Sequence, residues 1–171
     1  MTMKPSIITE RLVLRAIENS DLEAMVDILM NEQVKETYML PDFMSRQDAY
    51  PLFRKLHDLS NDPERYVFGI ALNGQIIGFM NDVEMKNGTI EVGYVIHPRY
   101  HNLGYATEGL VALIDHLHFK GFHTVVAGFF EGNLASRRVM EKAGMTQTEQ
   151  IDEIEYRGQM HRCIYFEHKS V

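Results

Sequence analysis

Tryptophan is absent from the 171-residue chain, and cysteine occurs once, as Cys163. A single thiol cannot close an intramolecular disulfide, and it cannot supply a zinc site that needs several cysteines. Cys163 stands in the apolar run Cys-Ile-Tyr-Phe at residues 163–166. We therefore interpret it as a small core residue rather than as a nucleophile.

Long hydrophobic runs and an excess of positive charge are missing as well. No window approaches the roughly 18 apolar residues of a membrane-spanning helix, so we expect a cytoplasmic protein with no membrane partner. The formal net charge is −7, from 24 acidic and 17 basic residues. Because nucleic-acid binding needs clustered lysine and arginine, we expect no nucleic-acid partner. An acidic surface instead tolerates cationic small molecules or basic protein tails.

Histidine occurs eight times, but its spacing does not favour a metal site. His97 and His101 are separated by a proline turn rather than by one turn of a helix. His116 and His118 are two residues apart, which turns their rings to different faces of a helix. We therefore expect no bound metal.

Composition and pattern indicate one mixed α/β (α+β) domain over residues 1–171, since no linker or repeat divides the chain. The predicted order is β-α-α-β-β-β-α-β-α-β-β. Strands that first meander and then cross over through helices imply a mixed central sheet. Periodicity predicts helices at residues 20–32, 45–59, 105–120 and 134–143. Alternation and buried runs predict strands at residues 9–17, 66–72, 75–85, 89–96, 124–130, 145–151 and 156–167.

Local signals set several boundaries of these elements. Ser20 and Glu23 form a capping-box pattern that predicts the start of the first helix. Residues 38–43 contain a proline and predict a loop. Three dipeptides predict tight turns between strands, and the asparagine and glycine residues in them accept positive φ angles. They are Asn73-Gly74, Asn87-Gly88 and Arg157-Gly158.

Residues 89–108 carry the most informative pattern. A strand-like run ends at Pro98, a short loop carries Gly104, and a helical pattern begins at Tyr105. This order directs the unpaired amides of residues 102–107 into one loop at the positive end of a helix, which suits a phosphate or diphosphate. The alternative is an ordinary strand-to-helix turn in which Gly104 only relieves strain. The pattern lacks the Gly-Lys-Ser/Thr of a P-loop and the three glycines of a dinucleotide fingerprint.

Three segments together resemble the Gcn5-related N-acetyltransferases (GNAT). Residues 101–106, His-Asn-Leu-Gly-Tyr-Ala, are similar to the acetyl-CoA loop of that family. Residues 133–145 resemble its Asn-x-x-Ser … Glu-Lys-x-Gly-Phe segment. Residues 8–15 resemble the opening strand of the branch that acetylates ribosomal-protein N-termini, such as the ribosomal-protein-alanine N-acetyltransferases. The segments occur in the family's order, and the resemblance spans nearly the whole chain.

The resemblance implies acetyl-CoA as a cosubstrate. The backbone of Tyr94, Val95 and Ile96 is expected to bond the pantetheine arm as an added strand would. His101 stands where Gln or Arg is usual, and Asn102 stands where Gly is common, but neither change removes a backbone donor. The residues expected to contact the cosubstrate are Tyr94, Val95, Ile96, His101, Asn102, Leu103, Gly104, Tyr105, Ala106, Thr107, Asn133, Ser136 and Arg137.

The helix at residues 134–143 is expected to face the thioester. Asn133, Ser136, Arg137 and Met140 are spaced to share one helical face. The resemblance implies that Ser136 lies near the thioester sulfur, and the alternative is a helix-surface residue. Met140 stands where many relatives have the tyrosine that protonates the leaving thiolate, and a thioether cannot donate a proton. That role is vacant, or it falls to Ser136 or to water.

Glu91 is the first candidate for the base that deprotonates the amine, so the predicted catalytic residues are Glu91 and Ser136. Glu91 lies on the strand that presents the thioester, and alternation groups it with Gly93. The alternative is a solvated carboxylate on the sheet face. Asp82 and Glu84 on the neighbouring strand are reserve candidates.

The leading hypothesis is an N-acetyltransferase in which a bound primary amine attacks acetyl-CoA directly, helped by proximity and by a backbone N–H at the carbonyl. The acceptor is a protein N-terminus, a polyamine or an aminoglycoside-like amine, selected by the first two helices and residues 38–43. A non-catalytic acyl-CoA-binding or sensing module is the alternative, and an unrelated α/β nucleotide binder is a third. The sequence is compatible with a monomer and with a homodimer.

Overall fold

The computed structural model describes residues 4–171, so the first three residues of the expected domain lie outside the described part. The strands are β1 Ile7–Ile8, β2 Leu12–Arg15, β3 Phe68–Leu72, β4 Gln75–Lys86, β5 Thr89–Ile96, β6 Thr124–Phe130, β7 Thr146–Tyr156 and β8 Gln159–Lys169. The helices are α1 Leu22–Leu29, α2 Glu32–Thr37, α3 Tyr50–Ser60, α4 Tyr105–Phe119 and α5 Leu134–Lys142. No helix among residues 4–171 has the length and apolar character needed to span a membrane.

The eight strands form one sheet in the order β1-β2-β3-β4-β5-β6-β8-β7. Strands β5 and β6 pair in parallel, and every other neighbouring pair is antiparallel. Helix α4 makes the crossover that a parallel pair requires. The mixed sheet predicted from the sequence is therefore confirmed.

Apolar clusters cover the two faces of the sheet. Val92 of β5 packs with Leu110 of α4 on one face, in a cluster that also includes residues of α5. Val95 of β5 packs on the other face, with Met25 of α1 and Phe53 of α3. Alternate residues of β5 thus reach both layers, as strand alternation requires. A ligand held along β5 is placed between the α4–α5 layer and the α1–α3 layer.

The three predicted turns between strands are confirmed. Each dipeptide has two successive positive φ angles, the geometry that matches the twist of a hairpin. The φ angles are 50° and 83° at Asn73-Gly74, 52° and 77° at Asn87-Gly88, and 52° and 76° at Arg157-Gly158.

The first predicted helix is wrong at both ends. Ser20 is not its N-cap but lies inside a 3₁₀ turn, in which Asp21 accepts a hydrogen bond from the N–H of Glu18 at 2.8 Å. At the other end, the side chain of Asn31 accepts from the N–H of Val34 at 3.2 Å and starts a separate helix, α2. The predicted helix therefore ends earlier than expected, and α2, which was not predicted, lies beside the candidate site.

The first predicted strand, residues 9–17, is shortened to β2 at Leu12–Arg15, and β1 at Ile7–Ile8 precedes it without having been predicted. Residues 9–11 turn the chain between β1 and β2, and the N–H of Thr9 donates to the carbonyl of Leu12 at 2.9 Å. The turn brings Thr9 and Arg11 against the first turn of α4, where both contact Glu108.

Candidate functional site

A cleft of about 780 Å³ opens where β5 and β6 separate. Their pairing stops at Val92 and Ala127, although β5 continues to Ile96 and β6 to Phe130. The two strands therefore splay apart beyond these residues. The cleft passes from the start of α4, through the gap between the strands, to α2 on the opposite face.

Backbone groups of β5 line this gap. The N–H of His97 donates to the carbonyl of Ile77 at 2.8 Å. This bond shows which residues of β5 direct their backbone groups toward β4. Because direction alternates along an antiparallel pair, Tyr94 and Ile96 turn their N–H and C=O groups toward β6, where no strand partner remains. Val95 turns its groups toward β4 instead, so two of the three predicted positions offer backbone groups to the gap.

The amide loop, which we define as residues 102–107, has the geometry expected of an anion site. None of its six N–H groups donates a hydrogen bond to any residue from 4 to 171. Asn102 and Gly104 take φ angles of 61° and 83°, so Asn102 adopts the left-handed conformation that glycine would adopt there. Gly104 is the N-cap of α4 and offers no side-chain acceptor. The amides stay open at the positive helix end.

Two residues predicted to contact the cosubstrate have other partners. The Nε2 of His101 lies 2.7 Å from the carbonyl oxygen of Ile96, which ties the amide loop to the end of β5. Leu103 does not line the cleft, and its carbonyl accepts a hydrogen bond from Arg11 at 2.9 Å.

Asn133 and Ser136 meet at the start of α5. The Oδ1 of Asn133 accepts from the N–H of Ser136 at 3.2 Å, and its Nδ2 donates to the Ser136 hydroxyl at 3.0 Å. Both residues line the cleft. The hydroxyl of Tyr94 lies 3.5 Å from the Ser136 carbonyl oxygen, and burial raises the pKa of Tyr94 to about 12. Two hydroxyl groups that keep their protons at neutral pH thus lie beside the gap.

The cleft-facing side of α5 is rotated from the predicted one. Arg137 does not line the cleft and instead pairs with Glu141 at 3.1 Å, while Met140 is 1% exposed in the core. Arg138 and Lys142, one turn apart, line the cleft, and neither forms a salt bridge within the described residues. The predicted face of α5 is therefore displaced by about one residue, which corresponds to a rotation of about 100° around the helix axis.

Glu91 lines the cleft on the face toward α2. Burial, followed by the nearby charges of Glu84 and Asp152, raises its pKa above the ordinary carboxyl value. The reserve candidate Asp82 is different, because Arg65 bonds both of its oxygens. Although burial acts in the opposite direction, those bonds hold the pKa of Asp82 below its usual value. The carboxylate of Asp82 is therefore held by Arg65, whereas that of Glu91 lines the cleft.

Side chains from distant segments form the wall opposite α5. Tyr38 donates to the Oδ1 of Asn81 at 2.6 Å, and both residues line the cleft. Met39 and Val83 line its mouth and are 50% and 57% exposed. Val83 lies at a register shift between β4 and β5, and a bulge of this kind changes the direction of a side chain. The sequence contained no signal for these contacts beyond the predicted loop at residues 38–43.

The β7–β8 hairpin holds this wall in place. The hydroxyl of Tyr156 donates to the carbonyl of Lys35 at 2.6 Å. Arg157 in the hairpin turn pairs with Glu32 at 3.1 Å and with Asp42 at 3.2 Å. We call these contacts the hairpin latch. They join α2 to residues more than a hundred positions away, so they could not be predicted from local pattern.

Cys163 lies at the cleft wall with only 6% of its surface exposed. Burial raises the pKa of its thiol, which disfavours the reactive thiolate. Within the described residues, no group of three or more His, Cys, Asp or Glu side chains is placed to hold a metal ion.

Comparison with known proteins adds a family to this geometry. The profile of the acetyltransferase (GNAT) domain matches residues 11–146. In sequence, the chain is 28% identical over 142 residues to the uncharacterized N-acetyltransferase YnaD of Bacillus subtilis, with 81% of each protein covered.

Solved structures share the fold. A GNAT-family acetyltransferase from Bacillus anthracis superposes with a TM-score of 0.82 at 24% identity, covering 96% of this chain and 98% of that one. RimL, the ribosomal L7/L12 alpha-N-protein acetyltransferase, crystallised in complex with coenzyme A, has a TM-score of 0.82 at 18% identity, with the same coverage.

Proposed function

Since this chain belongs to the acetyltransferase (GNAT) domain family and is an N-acetyltransferase, we propose that it transfers an acetyl group from acetyl-CoA to a primary amine by direct attack. We also propose that residues 1–171 act as one domain. One observation carries the proposal: the open amides of residues 102–107, the free backbone of β5 and Glu91 all border the same cleft.

The start of α4 is the end of the cleft suited to the diphosphate of CoA. Amides that are open at the positive end of a helix bind phosphate oxygens. Gly104 has no side chain to fill that space. Arg138 and Lys142 add positive charge to a cleft in a protein whose net charge is −7. These features support binding of the diphosphate there.

The free edge of β5 suits the pantetheine arm. An extended chain that carries amides can bond the N–H and C=O groups of Tyr94 and the N–H of Ile96 as an added strand would, while the Ile96 carbonyl already contacts His101. The acetyl thioester supplies an activated acyl group, and an N–H at this edge can polarise its carbonyl. At the start of α5 the Ser136 hydroxyl, oriented by Asn133, is available to donate a proton to the leaving sulfur. The need for an acid is modest, because a thiol has a pKa of about 8.5.

Glu91 is the proposed base, acting directly or through water. A lysine-like amine costs roughly 4–5 kcal/mol to deprotonate at pH 7, whereas an α-amine costs only about 1 kcal/mol. The raised pKa of Glu91 makes its carboxylate a stronger base than an ordinary one. The carboxylates of Glu36, Glu84 and Asp152 lie in or beside the same end of the cleft and favour an acceptor with positive charge.

For the acceptor we propose a protein α-amine before a polyamine or an aminoglycoside. The opening-strand resemblance and the likeness to RimL, which is named for action on a protein α-amine, support this order. The exposed apolar side chains of Met39 and Val83 at the mouth suit a peptide side chain next to the amine.

Two measurements test the proposal. Isothermal titration should show CoA binding at near-neutral pH, and the absence of both heat and a thermal shift at millimolar CoA removes the proposal. A panel of peptide N-termini, polyamines and aminoglycosides is then incubated with acetyl-CoA, and free thiol is measured. Turnover on one class of amine identifies the class of the acceptor. Tight CoA binding without turnover on any amine favours the non-catalytic module, which is motivated by Met140 in place of the acid that many relatives have.

A further inference from the structure

The shape of the amide loop is not maintained by its own backbone. Asn102 and Gly104 both have positive φ angles, and for Asn102 that conformation is energetically unfavourable. No N–H of residues 102–107 is bonded within residues 4–171. Contacts from outside the loop must therefore hold it open.

One such contact is that of His101 with Ile96, and Arg11 supplies several more with one side chain. Its guanidinium donates to the carbonyl of Leu103 at 2.9 Å and, through Nε, to Glu108 at 2.8 Å. The same group lies 4.4 Å from the ring centre of Tyr105, the first residue of α4. The planar guanidinium thus spans the loop from its carbonyl side to the first turn of the helix, which a single ammonium could not do.

Glu108 receives three donors from the turn between β1 and β2. Its Oε2 accepts from the Thr9 hydroxyl at 2.6 Å and from the Arg11 N–H at 2.8 Å, and its Oε1 accepts from Arg11 Nε. The carboxylate lies in the first turn of α4, close to where an anion would bind. Arg11 neutralises it, so Glu108 can brace the helix without repelling a diphosphate.

We infer that Arg11, Glu108 and Thr9 form a clamp that holds the amide loop in its binding shape, so that Arg11 is a positioning residue for CoA. Arg11 does not line the cleft, and its effect passes through the loop. The inference rests on the proposed function, because it requires CoA to bind at residues 102–107. Preorganisation of this kind strengthens binding by lowering the cost of ordering the site.

The test is titration of CoA into Arg11→Ala, with Arg46→Ala as the matched control. Arg46 is exposed to 42%, against 41% for Arg11, and it also contacts carboxylates at 2.7 and 2.8 Å, far from the cleft. We expect Arg11→Ala to raise the Kd for CoA about 10-fold or more, and Arg46→Ala to leave it unchanged. Arg11→Lys keeps the charge but should not restore the affinity.

Two further readouts separate positioning from simple stability. Hydrogen exchange of residues 102–107 in the CoA-free protein should become faster in Arg11→Ala and not in Arg46→Ala. The losses of CoA affinity in Arg11→Ala and Glu108→Ala should be non-additive in the double variant, because one clamp is lost in each case.

An Arg11→Lys or Arg11→Ala protein that binds CoA as tightly as the unchanged protein overturns the inference and leaves the proposed function intact. Failure of the unchanged protein to bind CoA overturns both.

Discussion

At one end of the cleft the groups that face a ligand belong to the backbone, whereas at the other end they belong to side chains. The end that we propose for the cosubstrate, here called the cosubstrate end, presents the amides of residues 102–107 and the edge of β5. The end that we propose for the acceptor, here called the acceptor end, presents Tyr38, Asn81 and Glu91. A backbone donor survives almost any substitution, so we expect the cosubstrate end to tolerate His101 and Asn102 in place of the family's usual residues. A side-chain wall changes with each substitution, which lets acceptor choice vary on one fold.

The two ends also differ in what holds them. The amide loop is braced by a clamp on α4, whereas the acceptor wall is held to the sheet by the hairpin latch from the end of the chain. Variants can therefore be chosen that damage one end and spare the other.

The largest expected effect comes from Glu91→Gln, which removes the proposed base at the acceptor end. With the acceptor found in the amine panel, kcat should fall about 10²- to 10⁴-fold, the range for losing a general base. The Kd for CoA should not change, because Glu91 faces α2 rather than the amide loop. Glu149→Gln, which alters an exposed carboxylate that does not line the cleft, is the control and should keep most activity. If Glu91→Gln also lowered the affinity for CoA, the two ends of the cleft would not act separately.

Gly104→Ala should damage the opposite end. A residue with a side chain at a φ of 83° is strained, and its Cβ would lie 3.1 Å from the guanidinium of Arg11. We expect the Kd for CoA, measured by titration, to rise about 10-fold or more. Gly121→Ala is the control, because Gly121 follows the other end of α4 with a φ of 105° and open space around it. That variant should lose stability without losing CoA affinity.

Arg157→Ala should loosen the hairpin latch and affect the acceptor alone. The pairs with Glu32 and Asp42 are partly exposed, so global stability should change by only about 1 kcal/mol or less. The KM for the acceptor should rise several-fold while the Kd for CoA stays constant. Arg162→Ala breaks similar exposed pairs on β8 and serves as the control. An unchanged acceptor KM in Arg157→Ala means that the latch does not set the acceptor wall.

The smallest expected effect concerns stability as a function of pH. The pKa of Glu91 is higher in the folded protein than in the unfolded chain, so folding favours its protonated form. Its favourable contribution is fully present below the unfolded pKa and is lost as the pH rises through the folded pKa. Glu91→Gln should therefore unfold at a slightly higher temperature than the unchanged protein at pH 7, and at the same temperature near pH 3. Thermal scans at both pH values measure this, and a lower unfolding temperature at pH 7 contradicts the assignment.

Most of the cosubstrate end could be predicted because its signals are local. Pro98 ends β5, Gly104 accepts a positive φ, and the helical pattern begins directly afterwards, so neighbouring residues alone place the amides. The phase of α5 was predicted less well. Residues spaced three and four apart define a broad stripe, and only packing against the sheet decided that Arg138, rather than Arg137, faces the cleft.

The sequence by itself determined the order of strands and helices from β3 to β8, the three tight turns and the row of amides at the start of α4, since each depends on the local pattern of a few adjacent residues. The tertiary structure alone decided the clamp from Arg11 to Glu108 and the hairpin latch. These contacts join residues about a hundred positions apart, and no local preference encodes which distant side chains meet when the sheet closes.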